Sequence, residues 1–288
     1  MISYFQSIVL GIIQGVTEPF PVSSLGHSVI VPKLLGWNLS QSNDKFVTFL
    51  VATHFATALV FLGIFWDDWV RIVHGLVRSI VQRGIAPGDT DARLGWLLVI
   101  GTVPAGIIGL ALQHPLEKLF GNAKLVATVL ILNGLMLLYA EARRRRARVD
   151  VADDDARLAR SLTPKSAAGI GLAQALALIP GFSRSGATMS GGLLQGLSHR
   201  DAARFSFLLA TPIILAAALL KMPGLFGSAG SGIRGQALVA AIAAAIAAWL
   251  SIRFLLRFFV TNRLTPFGIY CVAMGSLLTI LFAAGITL

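Results

Sequence analysis

Charge is scarce in this chain. Asp, Glu, Lys and Arg make up 13% of its 288 residues, against roughly a quarter in a soluble domain. Hydrophobic residues supply 56%, with a mean hydropathy of +0.77. This excludes an ordinary water-soluble domain and implies an integral membrane protein with several spans. Period-two alternation of apolar and polar residues is missing too. The apolar runs are continuous or rich in small residues, which favours helices over a barrel. The single cysteine, Cys271, excludes an intrachain disulfide and leaves the redox compartment undefined. No Lys or Arg precedes Lys33, so a cleavable signal with a basic start is not expected. Acidic residues number 13 against 24 basic ones, a net charge of +11. Cytoplasmic loops of membrane proteins collect Lys and Arg, and no aromatic–basic interleaving suited to single strands is present. Nucleic acid is therefore not an expected partner.

A spanning helix needs about 20 apolar residues. Six segments qualify: Phe46–Phe65, Leu94–Leu112, Ala123–Glu141, Ala203–Leu220, Ala237–Leu256 and Pro266–Leu288. Four pieces are too short or interrupted, namely Met1–Thr17, Ser24–Leu35, Ala167–Ile179 and Gly186–Leu197. They form two pairs, each broken by prolines or Pro-Gly with hydroxyl residues, where helix is disfavoured. Two re-entrant hairpins of half-helices are the simplest reading, tolerated at that depth only beside protein or a wet cavity.

The two breaks are alike. Gln14-Gly-Val-Thr-Glu18-Pro-Phe-Pro-Val-Ser23-Ser24-Leu-Gly26-His27 and Gln174-Ala-Leu-Ala-Leu-Ile-Pro180-Gly-Phe-Ser183-Arg184-Ser185-Gly186-Ala-Thr188 both run twelve positions from Gln to Gly. Beyond them, Thr48-Phe-Leu-Val-Ala-Thr53 matches Ser206-Phe-Leu-Leu-Ala-Thr211. Each half then holds one hairpin and three spans, so the second half is expected upside down relative to the first, as in inverted-repeat transporters. The expected organisation is a first repeat over 1–142 (hairpin about 1–36), a cytoplasmic linker over 143–166 and a second repeat over 167–288 (hairpin about 167–197). One membrane domain results. With the Arg143–Arg146 loop inside, most basic residues are cytoplasmic, and only Lys33, Lys45, Lys118, Lys124, Lys221 and Arg234 lie outside. That asymmetry puts both termini outside. The charged Arg143–Lys165 stretch is expected as a surface loop with room for some helix, and the alanine run Ala240–Ala248 as a site of close helix packing.

Polar residues at membrane depth are functional candidates. In each hairpin a second half-helix starts at the tip, and helix N-termini favour anions, phosphate above all. Arg184 adds a planar fork for phosphate oxygens. Ser23, Ser183, Ser185 and Thr188 offer hydroxyls, while Gly26 and Gly186 permit close backbone approach. Glu18, Ser24 and His27 resemble the parts of a phosphoryl-transfer site, with Ser24 as nucleophile, His27 as acid/base and Glu18 orienting or binding metal. Ser24 is taken as nucleophile ahead of His27 or an activated water. Gln14 and Gln174 stand behind the site. Plain N-capping is the competing role for Ser23 and Ser24, and a structural ion pair with Glu18 the competing role for Arg184. His54, His74, His114 and His199 have no ligand-like spacing, although His54 lies on a span close to the repeat and could stand behind the site. A metal built by protein alone is not expected, since Glu18 is the one intramembrane carboxylate; a divalent ion shared between Glu18 and substrate phosphates is.

These motifs resemble the undecaprenyl-diphosphatase family of bacitracin-resistance membrane phosphatases. The resemblance rests on Gln14 to Glu18, Pro21 to His27 and Pro180 to Thr188, with Phe205-Ser-Phe-Leu-Leu-Ala210 and Gly268-Ile-Tyr270 extending it along the chain. It implies removal of the terminal phosphate of undecaprenyl diphosphate, giving the monophosphate carrier used for peptidoglycan. It further implies a divalent cation (Mg or Ca) bound with substrate, a bacterial inner-membrane location with the site facing the periplasm, and bacitracin as a competitor for the substrate. A homodimer is left open. Three departures stand out: Gln14 for the frequent first glutamate, Leu25 for a frequent threonine, and an added proline in Glu18-Pro-Phe-Pro. A transporter or flippase of polyprenyl phosphates is the alternative, because it needs the anion site without the nucleophile. The other lipid-phosphatase class requires an Arg-Pro dipeptide that this chain does not contain.

Overall fold

The computed structural model describes residues 2–37, 39, 43–117, 119, 122–144 and 155–284. Among the described residues every regular element is helical and there is no strand. Six helices are long and apolar enough to cross a membrane. In chain order the helices are α1 (Tyr4–Thr17), α2 (Ser24–Leu34), α3 (Asp44–Ile64), α4 (Trp66–Val81), α5 (Thr90–Glu117), α6 (Ala123–Arg144) and α7 (Asp155–Ser161). They continue with α8 (Pro164–Ala175), α9 (Arg184–Leu194), α10 (His199–Lys221), α11 (Pro223–Phe226), α12 (Arg234–Thr261) and α13 (Thr265–Ala283). The six expected spans fall on α3, α5, α6, α10, α12 and α13. The four interrupted pieces fall on α1, α2, α8 and α9, each pair packed together.

Close packing follows the small residues. In lipid, helices associate through van der Waals contact rather than a hydrophobic drive, so interfaces collect Gly and Ala. Gly11 and Gly15 of α1 lie on Ala240, Ala244, Ala247 and Ala248 of α12. In the same way Gly171 of α8 lies on Gly101 of α5. Gly134 of α6 meets the backbone of Gly268 in α13. At these places a Cβ would have to enter backbone atoms, so glycine sets the distance of approach. Between α3 and α10 the contact is aromatic, with the Phe61 and Phe207 rings 5.5 Å apart and both side chains fully buried.

Two stretches add structure beyond the six apolar runs. The segment after the first span forms α4, whose Ile72, Gly75 and Ser79 face α5 while Trp66, Val70, Val73, Val77 and Ile80 stay exposed. No apolar run marks it because only one stripe of this helix is apolar. The second part of the expected surface loop is also folded. Leu158, Ala159 and Leu162 are buried, and Arg93 of α5 donates to Ala159 O at 2.8 Å and Leu162 O at 3.1 Å. Residues 145–154 of that linker, 285–288 of the last expected span, and the side chain of His114 lie outside the described residues.

Candidate active site

The two breaks meet. At the first, α1 ends at Thr17, and Ser23 turns the chain with a left-handed φ of 69° before α2 begins. Such a conformation in a non-glycine residue costs about 1–3 kcal/mol. Compensating contacts hold it: Ser23 Oγ accepts from Gly26 N–H at 3.2 Å, and Ser23 O accepts from His27 N–H at 3.2 Å. At the second break Ser183 caps α9 in the same way, accepting from Gly186 N–H at 3.1 Å. Ser185 Oγ donates to Phe20 O at 2.8 Å, and Gly186 lies against Pro21 O, so the second tip rests on the backbone of the first.

Glu18 sits at their junction, 6% exposed. Arg184 Nη2 donates to its Oε1 at 3.0 Å. Its Oε2 accepts from Ser24 Oγ at 2.6 Å and from Gln14 Nε2 at 3.0 Å. The nucleophile candidate therefore already donates its proton toward a carboxylate, the arrangement an activated serine requires. Arg184 is held further by Ser206 O at 3.2 Å and by the Phe61 ring at 5.7 Å. Its Nε is buried and has no hydrogen-bond partner among the described residues. An N–H donor without a partner, beside two helix N-termini, suits an anion.

His27 is placed differently from expectation. Instead of facing Ser24, its Nδ1 lies 2.7 Å from Ser23 O and its Nε2 2.7 Å from Tyr270 Oη, with the two rings stacked at 5.8 Å. A carbonyl can only accept, so Nδ1 carries the proton and Nε2 receives the tyrosine hydroxyl in the neutral ring. The group in contact with Ser24 Oγ is Glu18. The reason is local: His27 stands one turn into α2, where its ring folds back over the carbonyl of the strained Ser23.

The expected phosphate hydroxyls are spent on the protein in this structure. Ser183 and Ser185 bond each other at 3.0 Å, and Thr188 bonds Ser206 Oγ at 2.6 Å. Gly26 and Gly186 pack against Val126 and Asn133 of α6 as well as their own caps. Gln174 is buried, and among the described residues neither of its side-chain polar atoms has a hydrogen-bond partner, whereas its counterpart Gln14 reaches Glu18. Position 178, four residues after Gln174, is leucine where the first tip has Glu18.

Two residues escaped the sequence reading, and a third, His54, was read only as a residue that could stand behind the site. Asn133 of α6 is fully buried and joins both tips, donating to Pro21 O at 3.0 Å and accepting from Ser183 N–H at 3.0 Å. Its signal was available, an amide inside an apolar span. Tyr270 was noted only as part of a match, and its bond to His27 spans 243 positions. His54 of α3 lies 3.5 Å from Glu18.

Among the described residues no group of three or more His, Cys, Asp and Glu stands together, and both oxygens of Glu18 are engaged. The side chains alone do not form a metal centre; phosphate oxygens would have to supply most ligands of a divalent ion.

Ser24, the buried Glu18 and Arg184 thus stand together at two facing helix starts, an arrangement suited to an anion. Residues 7–277 match the family described as bacitracin resistance protein BacA. The chain is 48% identical to an undecaprenyl-diphosphatase of Mycolicibacterium paratuberculosis, covering 95% of each chain. It is 44% identical to undecaprenyl-diphosphatase 2 of Frankia alni over 98% of each, and 45% identical to undecaprenyl-diphosphatase 2 of Burkholderia ambifaria over 93% of each. With the match running through both tips and all six apolar helices, the chain belongs to the bacitracin resistance protein BacA family.

Proposed function

We propose that this protein is an undecaprenyl-diphosphate phosphatase, releasing the terminal phosphate of the lipid diphosphate and leaving undecaprenyl phosphate. The observation that carries the reading is the 2.6 Å contact from Ser24 Oγ to Glu18 Oε2, with Arg184 on the other carboxylate oxygen. Relatives named for this activity support it.

The diphosphate lies between the two helix starts, held by Arg184 and backbone N–H groups. Ser24 Oγ attacks the terminal phosphorus as its proton passes to Glu18 Oε2. The bridging P–O bond breaks and undecaprenyl phosphate leaves with that electron pair. Water then attacks the phosphoserine, Glu18 returns its proton to Ser24 Oγ, and the water's protons leave with the released inorganic phosphate. Arg184 stabilises the charge gathering on the phosphoryl oxygens throughout. A divalent cation, Mg or Ca, would be held by Glu18 together with oxygens of the diphosphate, and would supply charge neutralisation on those oxygens. The isoprenoid tail follows the outer apolar faces, a path supported by Tyr270 of α13, which is 38% exposed and bonded to His27.

The paired short helices are read as re-entrant hairpins and the two halves as inverted repeats. Reciprocal packing supports this, since α1 lies along α12 as α8 lies along α5, while α3 pairs with α10 and α6 with α13. Loop charge supports termini on the outer face of the bacterial cytoplasmic membrane, with the site serving the periplasm and bacitracin competing there for the lipid.

The test is phosphate release by purified protein in detergent from undecaprenyl and shorter prenyl diphosphates, with and without chelator. Release that falls by about 10² or more in Glu18→Gln is expected. Binding of the lipid without release would replace the enzyme by a carrier of polyprenyl phosphates.

A further inference from the structure

The turn that aims the nucleophile is strained, and the scheme above gives no task to the two side chains that hold it. Ser23 has a φ of 69°, and Ser24, the next residue, opens α2 with its Oγ 2.6 Å from Glu18. A change in the Ser23 dihedrals therefore moves Ser24 first. The Ser23 carbonyl accepts twice from one residue, from His27 N–H at 3.2 Å and from the His27 ring at Nδ1 at 2.7 Å. Any first helical turn supplies the backbone bond. The ring bond exists only while the imidazole stays folded back. Tyr270 keeps it there, with Oη 2.7 Å from Nε2 and the two rings within 12° of parallel.

The packing of α13 on α6 delivers Tyr270 to this place. Gly134 of α6 and Gly268 of α13 approach so closely that a Cβ on either would collide with the other helix. That contact brings the residues beside the two glycines onto the first tip. Asn133 donates to Pro21 O at 3.0 Å, and its Nδ2 lies 3.4 Å from Cys271 Sγ. Tyr270, the neighbour of Cys271, reaches His27. The first tip is thus held on both sides of Val22, at Pro21 through Asn133 and at Ser23 through His27.

We infer that Tyr270 is a positioning residue for Ser24: acting through His27, it locks the Ser23 turn that points Ser24 Oγ at Glu18. This rests on the reading of Ser24 as the nucleophile. It holds in either charge state of the ring. A carbonyl only accepts, so Nδ1 carries a proton in both, and Tyr270 Oη donates to a bare Nε2 or accepts from a protonated one. A left-handed serine persists only where its surroundings over-determine it, and this brace does so from 243 positions away in the chain. Displacing a reacting atom by about 1 Å costs about 10² in rate, so the brace acts on kcat.

The experiment measures kcat and KM for phosphate release from a prenyl diphosphate, each protein being checked for thermal unfolding in detergent. The proteins are wild type, Tyr270→Phe, His27→Ala, His27→Asn, the double variant Tyr270→Phe with His27→Asn, and Ser24→Ala. Tyr270→Phe keeps the ring and removes the hydroxyl; kcat is expected to fall about ten-fold with KM within about two-fold. His27→Asn keeps an N–H donor close to where Nδ1 stood and does not reach Tyr270. It is expected to turn over about ten-fold faster than His27→Ala, and adding Tyr270→Phe to it should change kcat by less than about two-fold. Wild-type kcat in Tyr270→Phe overturns the inference, and so does a loss that falls on KM instead, which would tie Tyr270 to the lipid chain. A His27→Asn no faster than His27→Ala overturns it by assigning the work to Nε2. A double variant that loses the full factor of Tyr270→Phe overturns it by showing that Tyr270 acts without His27. Each of these leaves the nucleophile reading standing if Ser24→Ala is inactive, whereas an active Ser24→Ala removes that reading itself.

Discussion

Arg184 Nη2 lies 3.0 Å from Glu18 Oε1, although 166 positions separate the two residues. One comes from the start of α9 and the other from the end of α1, so the pair exists only when both breaks occupy one place. A buried ion pair contributes little net stability, because desolvation offsets the attraction. Its worth here is positional: it leaves Oε2 to Ser24 and keeps the guanidinium in the site.

Arg184→Ala is therefore expected to reduce kcat/KM by about 10²–10³. Arg184→Lys should not restore it, since an ammonium cannot reach Glu18 Oε1 and Ser206 O from the two ends of a fork. Steady-state phosphate release measures both; recovery to wild-type rate with lysine would show that charge alone suffices.

Asn133 joins the tips from α6. Asn133→Leu leaves Pro21 O and Ser183 N–H without their buried partner, at a cost of about 1–3 kcal/mol for each group left unpaired. The expected outcome is a lower Tm in detergent together with a lower kcat, because the tips lose their common anchor. An unchanged Tm would mean that the tips hold each other without α6.

Asp89 precedes α5 and caps it, accepting from Ala92 N–H at 3.0 Å and from Arg78 Nε at 2.8 Å. The Ala92 N–H, followed by the Arg78 guanidinium, holds its carboxyl below the usual range. A carboxyl depressed in the folded state adds stability above its unfolded pKa and loses it as pH falls through the folded one. Asp89→Ala should cost about 1 kcal/mol at neutral pH. The gap in Tm between variant and wild type should close below about pH 4, and a gap constant down to pH 3 would remove the capping role.

Much of this was legible in the sequence, and the rest has physical reasons for being hidden. Six apolar runs show because lipid demands them one residue at a time. The tips show because Glu18, Ser24, His27 and Arg184 are costly inside such runs. The use of Ser183, Ser185 and Thr188 does not show, since a hydroxyl that caps a helix, staples two loops or binds phosphate is the same residue type. The partner of Ser24 does not show either. Glu18 and His27 both lie within a few positions of Ser24, and only the turn at Ser23, with φ of 69°, sends the imidazole to Tyr270. His54 and Asn133 are single polar residues on long helices, and their roles depend on what packs against them.

The most direct test of the account is acid quenching during turnover of a prenyl diphosphate labelled in its terminal phosphate, followed by peptide mapping. The account predicts label on Ser24, no label in Ser24→Ala, and a kcat for that variant lower by about 10³ or more. Phosphate release at the wild-type rate from Ser24→Ala, with no phosphorylated peptide in either protein, would contradict it.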